Sequence, residues 1–302
     1  MGRLGCRPAG AGVTPAGEAG LAALRARPGR AVVALDYDGT LAPIVDRPSE
    51  AVPAVGVIRA LQALVPHVGT LALVTGRPAD IVVELGDLAE VPGLVVLGQY
   101  GLQRWTSAGL DSPMPLAGIT AARRALPPML TEECAQLEDK HLALVVHTRT
   151  CKDPAGALAR LEPAVRRLGD RLGLEVHPGR FVLEVRPPGF DKRGALLSLC
   201  DPAPSAVLFA GDDVGDLSAY DAVDELRAAG VPGLTICSDS PEGPEQLRER
   251  ADLVVDGPEG IVAMLEGLLP PSFAPTSVIS GDGEVERPPR SPRKPPWIKE
   301  GG

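Results

Sequence analysis

The sequence predicts an α/β fold: a core built on a parallel sheet, interrupted by a smaller inserted α+β domain. Three observations carry this reading. Short β-branched runs alternate with helical patterns in both outer parts of the chain, the rhythm of parallel strands joined by crossover helices. The middle of the chain breaks that rhythm with two adjacent strand-like runs around Pro178 and Gly179, the pattern of a hairpin. The unusual polar residues fall just after apolar runs, where open α/β sheets bind their ligands.

Taken in order, residues 1–30 are rich in Gly, Ala, Pro and Arg and are expected to be largely disordered, with helical character only over 18–26. The core, 31–101 and 187–269, then opens with the strand "AVVALDYD", a helix near 55–65, the strand "TLALVTG", a helix after Pro78 and the strand "GLVVLGQYG". The insert, 102–186, reads as a strand at 103–106, a helix over 117–130, the strand "HLALVVHTR", a helix over 154–172 and the hairpin "LEVHPGRFVLEVRP". The core resumes with a helix after Lys192, the strand "AVLFAGDD", a helix from about Asp216, the strands "GLTICS" and "ADLVVDG", and a last helix to about Leu268. From Pro270 onward the prolines forbid regular structure, so 270–302 reads as a disordered tail whose basic stretch, 287–299, is solvated.

Composition narrows the class. With 302 residues and 44% hydrophobic residues the chain can bury a substantial core, and only 3% aromatics means a core of Ala, Val and Leu. A net charge of −9 argues against a nucleic-acid or anionic-membrane surface, although a metal and a few cations can still reverse the field inside one cleft. No apolar run approaches the roughly 20 residues of a membrane span, and the N-terminus lacks a signal-peptide pattern, so a soluble, cytoplasmic protein is expected. Its five cysteines form no CxxC pair and are expected to be reduced and inert.

Asp36 and Asp38 stand two apart at the end of an apolar run, so their carboxylates crowd one pocket unless a cation or proton relieves them. Mg²⁺ accepts such carboxylates together with water and phosphate oxygens, and Asp212, Asp213 and Asp216 follow a second strand. Asp36 is a candidate nucleophile and Asp38 a candidate acid and base. Thr75, Gly76 and Arg77, at a strand end that leads into a helix, suit a phosphoryl anion, and Lys192 can stabilise its charge.

The motifs "DYDGTL", "VTGR", Lys192 in "DKRGALL" and "GDDVGD", in this order over about 32–268, resemble those of the haloacid dehalogenase (HAD) superfamily of phosphohydrolases. The resemblance implies a Rossmann-like core with a cap, Mg²⁺ and an aspartyl-phosphate on Asp36, with Asp38 also lending its backbone carbonyl to the metal. Within that superfamily, "LDYDGTLAPIVDRPSEAVP", "GLVVLGQYGLQRW", "VVHTR", "LEVRPPGFDKRGAL" and "AGDDVGDLSAYDAV" resemble the trehalose-phosphatase family. That likeness implies trehalose 6-phosphate as substrate and a functional link to a trehalose 6-phosphate synthase. It also implies that the insert caps the sugar, with His147, Arg149, Glu184 and Arg186 as sugar contacts.

The chain departs from the family in two places. Gly215 and Leu217 replace the Thr and Glu of the usual GDDxTDE, which bears on metal tuning while leaving the aspartates in place. Tyr100-Gly101 stands where the family frequently has His-Gly. Three other readings compete: the same chemistry on sucrose phosphate or another glycosyl phosphate, a non-catalytic sugar-phosphate binder, and a phosphorylated receiver domain. The last fits poorly, because a receiver has neither the large insert nor the DxDGT partner aspartate.

Overall fold

The computed structural model describes residues 12–45, 47–241 and 243–269. The first part of the chain runs α1 (Pro15–Ala26), β1 (Val32–Leu35), α2 (Val57–Leu64), β2 (Thr70–Val74), α3 (Ala79–Leu85), β3 (Val95–Gly98), β4 (Gln103–Thr106) and β5 (Gly109–Asp111). There follow α4 (Ala117–Leu130), β6 (Gln136–Asp139), β7 (Leu144–His147), α5 (Pro154–Leu172), β8 (Glu175–Gly179) and β9 (Val182–Arg186). The last part is α6 (Lys192–Ser198), β10 (Val207–Gly211), α7 (Leu217–Ala228), β11 (Gly233–Asp239), α8 (Glu245–Arg250), β12 (Leu253–Asp256) and α9 (Gly257–Gly267).

An eight-stranded sheet has the order β12-β11-β10-β1-β2-β3-β4-β5. Strands β12 to β3 are parallel, while β4 and β5 add on antiparallel. The central strands are buried on both faces, which is why β1 reads as an unbroken VVAL run rather than an alternating one. Val33 and Leu35 pack with Leu24, Leu61, Val82 and Ile261 on one face. Val32 and Ala34 pack with Leu196, Tyr220, Val223 and Leu247 on the other, giving three layers.

The second sheet is antiparallel, in the order β6-β7-β9-β8. Leu144, Val146, Leu183 and Val185 form its apolar face against Ile119 and Leu126 of α4 and Leu161 and Val165 of α5. Because side chains alternate along a strand, the opposite face carries Glu138, His147, Glu184 and Arg186.

Several details differ from the sequence reading. The segment 103–106, read as part of the insert, pairs with β3 in the large sheet, and the second sheet with its packed helices starts only with α4 at Ala117. Strand β6 was not legible: its sequence, QLED, is polar because it is an edge strand held through backbone pairing to β7. The hairpin turns at Arg180 and Phe181, since Gly179 already pairs with Val182; Phe181 takes φ 63° there.

Residues 12–30, expected to be mostly loose, contain the complete helix α1. The Thr14 hydroxyl oxygen accepts the Gly17 N–H at 3.0 Å, and Pro15 occupies the first turn, where its missing N–H costs nothing. Leu24 is buried against the sheet. Gly20 lets the helix touch β11, because a Cβ there would lie 2.0 Å from the Gly233 carbonyl oxygen. Residues 1–11 and 270–302, with Cys6 and the basic stretch 287–299, lie outside the described residues.

Candidate active site

The strands β10, β1 and β2 are neighbours in register, with Leu35 opposite both Ala210 and Leu73. Their carboxyl ends therefore deliver Asp212, Asp36 and Thr75 to one place. The Asp36 N–H still donates to Ala210 O at 2.8 Å, which fixes the start of the loop that follows. Gly39 has φ 73°, and a Cβ on it would lie 1.9 Å from Asp212 Oδ2, so both the turn and the approach of Asp212 require glycine.

Lys192, on the first turn of α6, is buried and donates to Asp36 Oδ1 at 2.7 Å and Asp216 Oδ1 at 2.6 Å. The other oxygen of Asp216 accepts the N–H groups of Asp212 at 3.0 Å and Asp213 at 3.1 Å. Asp216 is thus a fixed bracket between the lysine and the loop after β10. Burial pushes the Asp36 carboxyl up to about 7, with Lys192 opposing and Asp216 and Asp38 adding to the rise. Burial, with Asp36, Asp216 and Asp213 adding and Lys192 opposing, pushes Asp212 up to about 9. Lys192 goes the other way: burial opposes its charge, but Asp216 and Asp36 outweigh that and raise it above the ordinary lysine range.

Carboxylate oxygens of Asp36, Asp212 and Asp216 lie within 4.8 Å of one another. Three hard oxygen donors with one ammonium between them carry excess negative charge in a buried place, which fits a divalent cation of the Mg²⁺ kind. Of the five aspartates read as metal-facing, the structure brings these three together. The Asp213 carboxylate instead caps the following turn, accepting the Val214 N–H at 2.6 Å. The Asp38 carboxylate is held by Arg77, Nε to Oδ2 at 2.6 Å and Nη2 to Oδ1 at 2.5 Å.

Arg77, read as a phosphate contact, has its guanidinium turned to Asp38 in this structure. Its remaining Nη1 donates to Pro48 O at 2.7 Å, and its guanidinium lies over the Tyr37 ring. Thr75 is buried, its hydroxyl oxygen accepting the Arg77 N–H at 3.1 Å. Gly76 follows it at the same strand end, packed on the Tyr100 ring.

The polar face of the second sheet meets this end of the core through Tyr100, whose phenol donates to Glu184 Oε2 at 2.9 Å. Lys140 Nζ approaches Glu184 Oε1 at 3.4 Å, and Arg186 lies with its guanidinium 4.1 Å from the centre of the Tyr100 ring. Glu184 and Arg186, both read as sugar contacts, are therefore buried together beside the core. His147 pairs with Glu138 across the strands, its Nε2 2.8 Å from Oε2, while Arg149 is exposed in the turn after β7. Sequence reasoning missed Lys140 and Glu138, which carry no motif, and left Tyr100 without a role.

The architecture is that of the HAD-like hydrolases. A solved structure of a haloacid dehalogenase-like hydrolase from Bacteroides thetaiotaomicron matches 79% of this chain and 99% of its own, at 17% identity and a TM-score of 0.58. The C-terminal domain of a Candida albicans trehalose-6-phosphate phosphatase matches 85% of this chain and 98% of its own, at 16% identity and a TM-score of 0.68. The model of the trehalose-phosphatase family matches residues 34–253, and the chain belongs to that family. A trehalose-phosphate phosphatase of Mycobacterium marinum is 33% identical over 215 residues, covering 64% of this chain and 52% of that relative. The chain spans about half the length of the curated trehalose-phosphate phosphatases it matches.

Proposed function

We propose that the chain hydrolyses trehalose 6-phosphate to trehalose and inorganic phosphate, with Mg²⁺ and an aspartyl-phosphate on Asp36, as a step of trehalose biosynthesis. The observation that carries this reading is the Asp36–Lys192–Asp216 bracket beside Asp212 where three strand ends meet, in a member of this family.

An Asp36 oxygen attacks phosphorus and the bond from phosphorus to the sugar oxygen breaks, while Asp38 gives that oxygen its proton. Asp38, now a carboxylate, takes a proton from water; the water oxygen attacks phosphorus, releasing phosphate and restoring Asp36. The Thr75 hydroxyl, the Gly76 N–H and the Lys192 ammonium hold the phosphoryl oxygens. Asp36, Asp212 and Asp216 would hold Mg²⁺, whose charge screens the phosphoryl group as an anionic nucleophile approaches. Arg77 aims the Asp38 carboxylate.

The second sheet and its helices serve as the cap, closing Glu184, Arg186 and His147 over the sugar, with Arg149 at the rim. A glycosyl phosphate other than trehalose 6-phosphate is the second reading, favoured by Tyr100, which alters the surface on which the sugar rests. The same reading includes a functional link to a synthase making the substrate and a cytoplasmic place for both. No helix among the described residues is long and apolar enough to cross a membrane.

Acid-quenched turnover of ³²P-labelled substrate tests the covalent step. Label on the protein that is stable in acid and released by alkali, present in the wild type and absent in Asp36→Asn, is the expected result. Turnover with no such label in the wild type at any quench time contradicts it.

A further inference from the structure

We infer that Tyr100 is a positioning residue for sugar recognition, tying Glu184 and Arg186 of the second sheet to the loop proposed to bind phosphate. The inference rests on the phosphatase reading and goes beyond it by naming what sets the distance between the phosphate end and the sugar end of the site.

Tyr100 is anchored on the phosphate side through its backbone. It takes φ 59° and ψ 32°, and Gln99 before it takes φ 46°, two consecutive non-glycine residues in the left-handed region. Such residues cost on the order of 1 kcal/mol or more each and persist only where surroundings enforce them. Here the Gln99 N–H donates to Arg77 O at 2.9 Å and the Tyr100 N–H to Thr75 O at 3.0 Å. The ring rests on Gly76, where a Cβ would come within 2.7 Å of the phenol oxygen. Any movement of 75–77 therefore moves the ring.

On the sugar side the ring has two contacts. Its hydroxyl donates to Glu184 Oε2 at 2.9 Å, and its face carries the Arg186 guanidinium at 4.1 Å. Burial and the neighbouring carboxylate hold the phenol above its ordinary range, so it remains a donor at neutral pH. Arg186 is 7% exposed, and its Nε is buried without a hydrogen-bond partner. A buried donor without an acceptor is costly, and a hydroxyl oxygen of a glycosyl phosphate supplies one. Glu184 is the matching acceptor for a hydroxyl proton. One rigid aromatic ring thus holds an acceptor and an open donor at a fixed offset from the phosphate loop, the arrangement that selects a phosphate ester carrying a polyol at a set distance.

A residue that merely plugs the gap between the two sheets would lower stability and all turnover together. Positioning predicts a split instead. Tyr100→Phe keeps the ring and the stacked arginine and removes only the hydrogen bond to Glu184. Since hydrogen bonds to charged groups are worth a factor of about ten or more, KM for trehalose 6-phosphate should rise about tenfold, with kcat within about twofold of wild type. The ratio of kcat/KM for trehalose 6-phosphate to that for p-nitrophenyl phosphate should fall by about the same factor. In the background of Glu184→Gln the same substitution should have a much smaller effect, and a thermal melt of each variant reports whether it is folded. Wild-type preference for trehalose 6-phosphate that survives intact in Tyr100→Phe, or equal losses on both esters, overturns the inference alone. A wild type that does not prefer trehalose 6-phosphate over p-nitrophenyl phosphate overturns the trehalose 6-phosphate reading, and the inference with it.

Discussion

Asp36 and Asp38 stand two residues apart and are separated by their partners: Lys192 takes Asp36 and Arg77 takes Asp38. Each carboxylate is thereby committed to a different task. Replacing Asp36 by Asn preserves its size and removes the nucleophile, so turnover should fall by roughly 10⁴-fold or more while the melting temperature stays close to wild type. Residual activity above one hundredth of wild type would rule out Asp36 as the attacking group. Arg77→Met should lower kcat about 100-fold, because a misaimed acid and base costs about that much; a kcat within twofold of wild type would show that Asp38 needs no clamp. The DxD pair, Lys192 and the acidic run after β10 were legible in the sequence because each sits at a fixed spacing from an apolar strand. The pairing of Arg77 with Asp38 was not, since the two lie 39 residues apart and no local pattern reports it.

The strands buried on both faces were legible as short apolar runs, and the helices between them as periodic ones. What escaped were edges: β6 is polar because it pairs with one strand only and, apart from Leu137, is largely solvent-facing, and β4 joins the large sheet through pairing that its composition does not announce. Helix α1 was legible over 18–26, but its first turn escaped because its Gly and Ala content resembles a linker, although Thr14-Pro15 is a readable start signal. Its glycines serve contact rather than flexibility. In an exposed helix Gly→Ala stabilises by about 1 kcal/mol, but Gly20→Ala places a methyl on the Gly233 carbonyl and should destabilise by about 1–3 kcal/mol. A melting temperature that rises in this variant would remove the proposed packing of α1 on β11.

The same helix is tied down by Asp252, which receives Thr14 and Arg227 together with the Thr235 N–H at 2.8 Å and hydroxyl at 2.9 Å. Burial would raise this carboxyl, yet the hydrogen bonds from Thr14, Thr235 and Arg227 outweigh it and lower it. Its contribution to stability is therefore present above the ordinary aspartate pKa near 4 and is lost as pH falls through the depressed folded value. Asp252→Asn should reduce stability by about 3 kcal/mol at neutral pH, and its melting temperature should fall less steeply than that of wild type below about pH 4. Parallel pH profiles would mean that Asp252 is not an ionised anchor.

At the scale of the whole molecule, two sheets with separate apolar cores meet through polar groups. Core strand ends supply the acidic bracket, and the helix-free face of the second sheet supplies Glu184 and Arg186. A chain with net charge −9 that gathers three carboxylates at one point, with Lys192 between two of them, is suited to the further cation proposed above for receiving a phosphate ester. The measurement that tests this account most directly is phosphate release from trehalose 6-phosphate, sucrose 6-phosphate, glucose 6-phosphate and p-nitrophenyl phosphate, with Mg²⁺ and with chelator. The account predicts rapid release from trehalose 6-phosphate in Mg²⁺, slower release from the other three, and none with chelator. Release that ignores the chelator, or no release from any ester by folded protein in Mg²⁺, would contradict it.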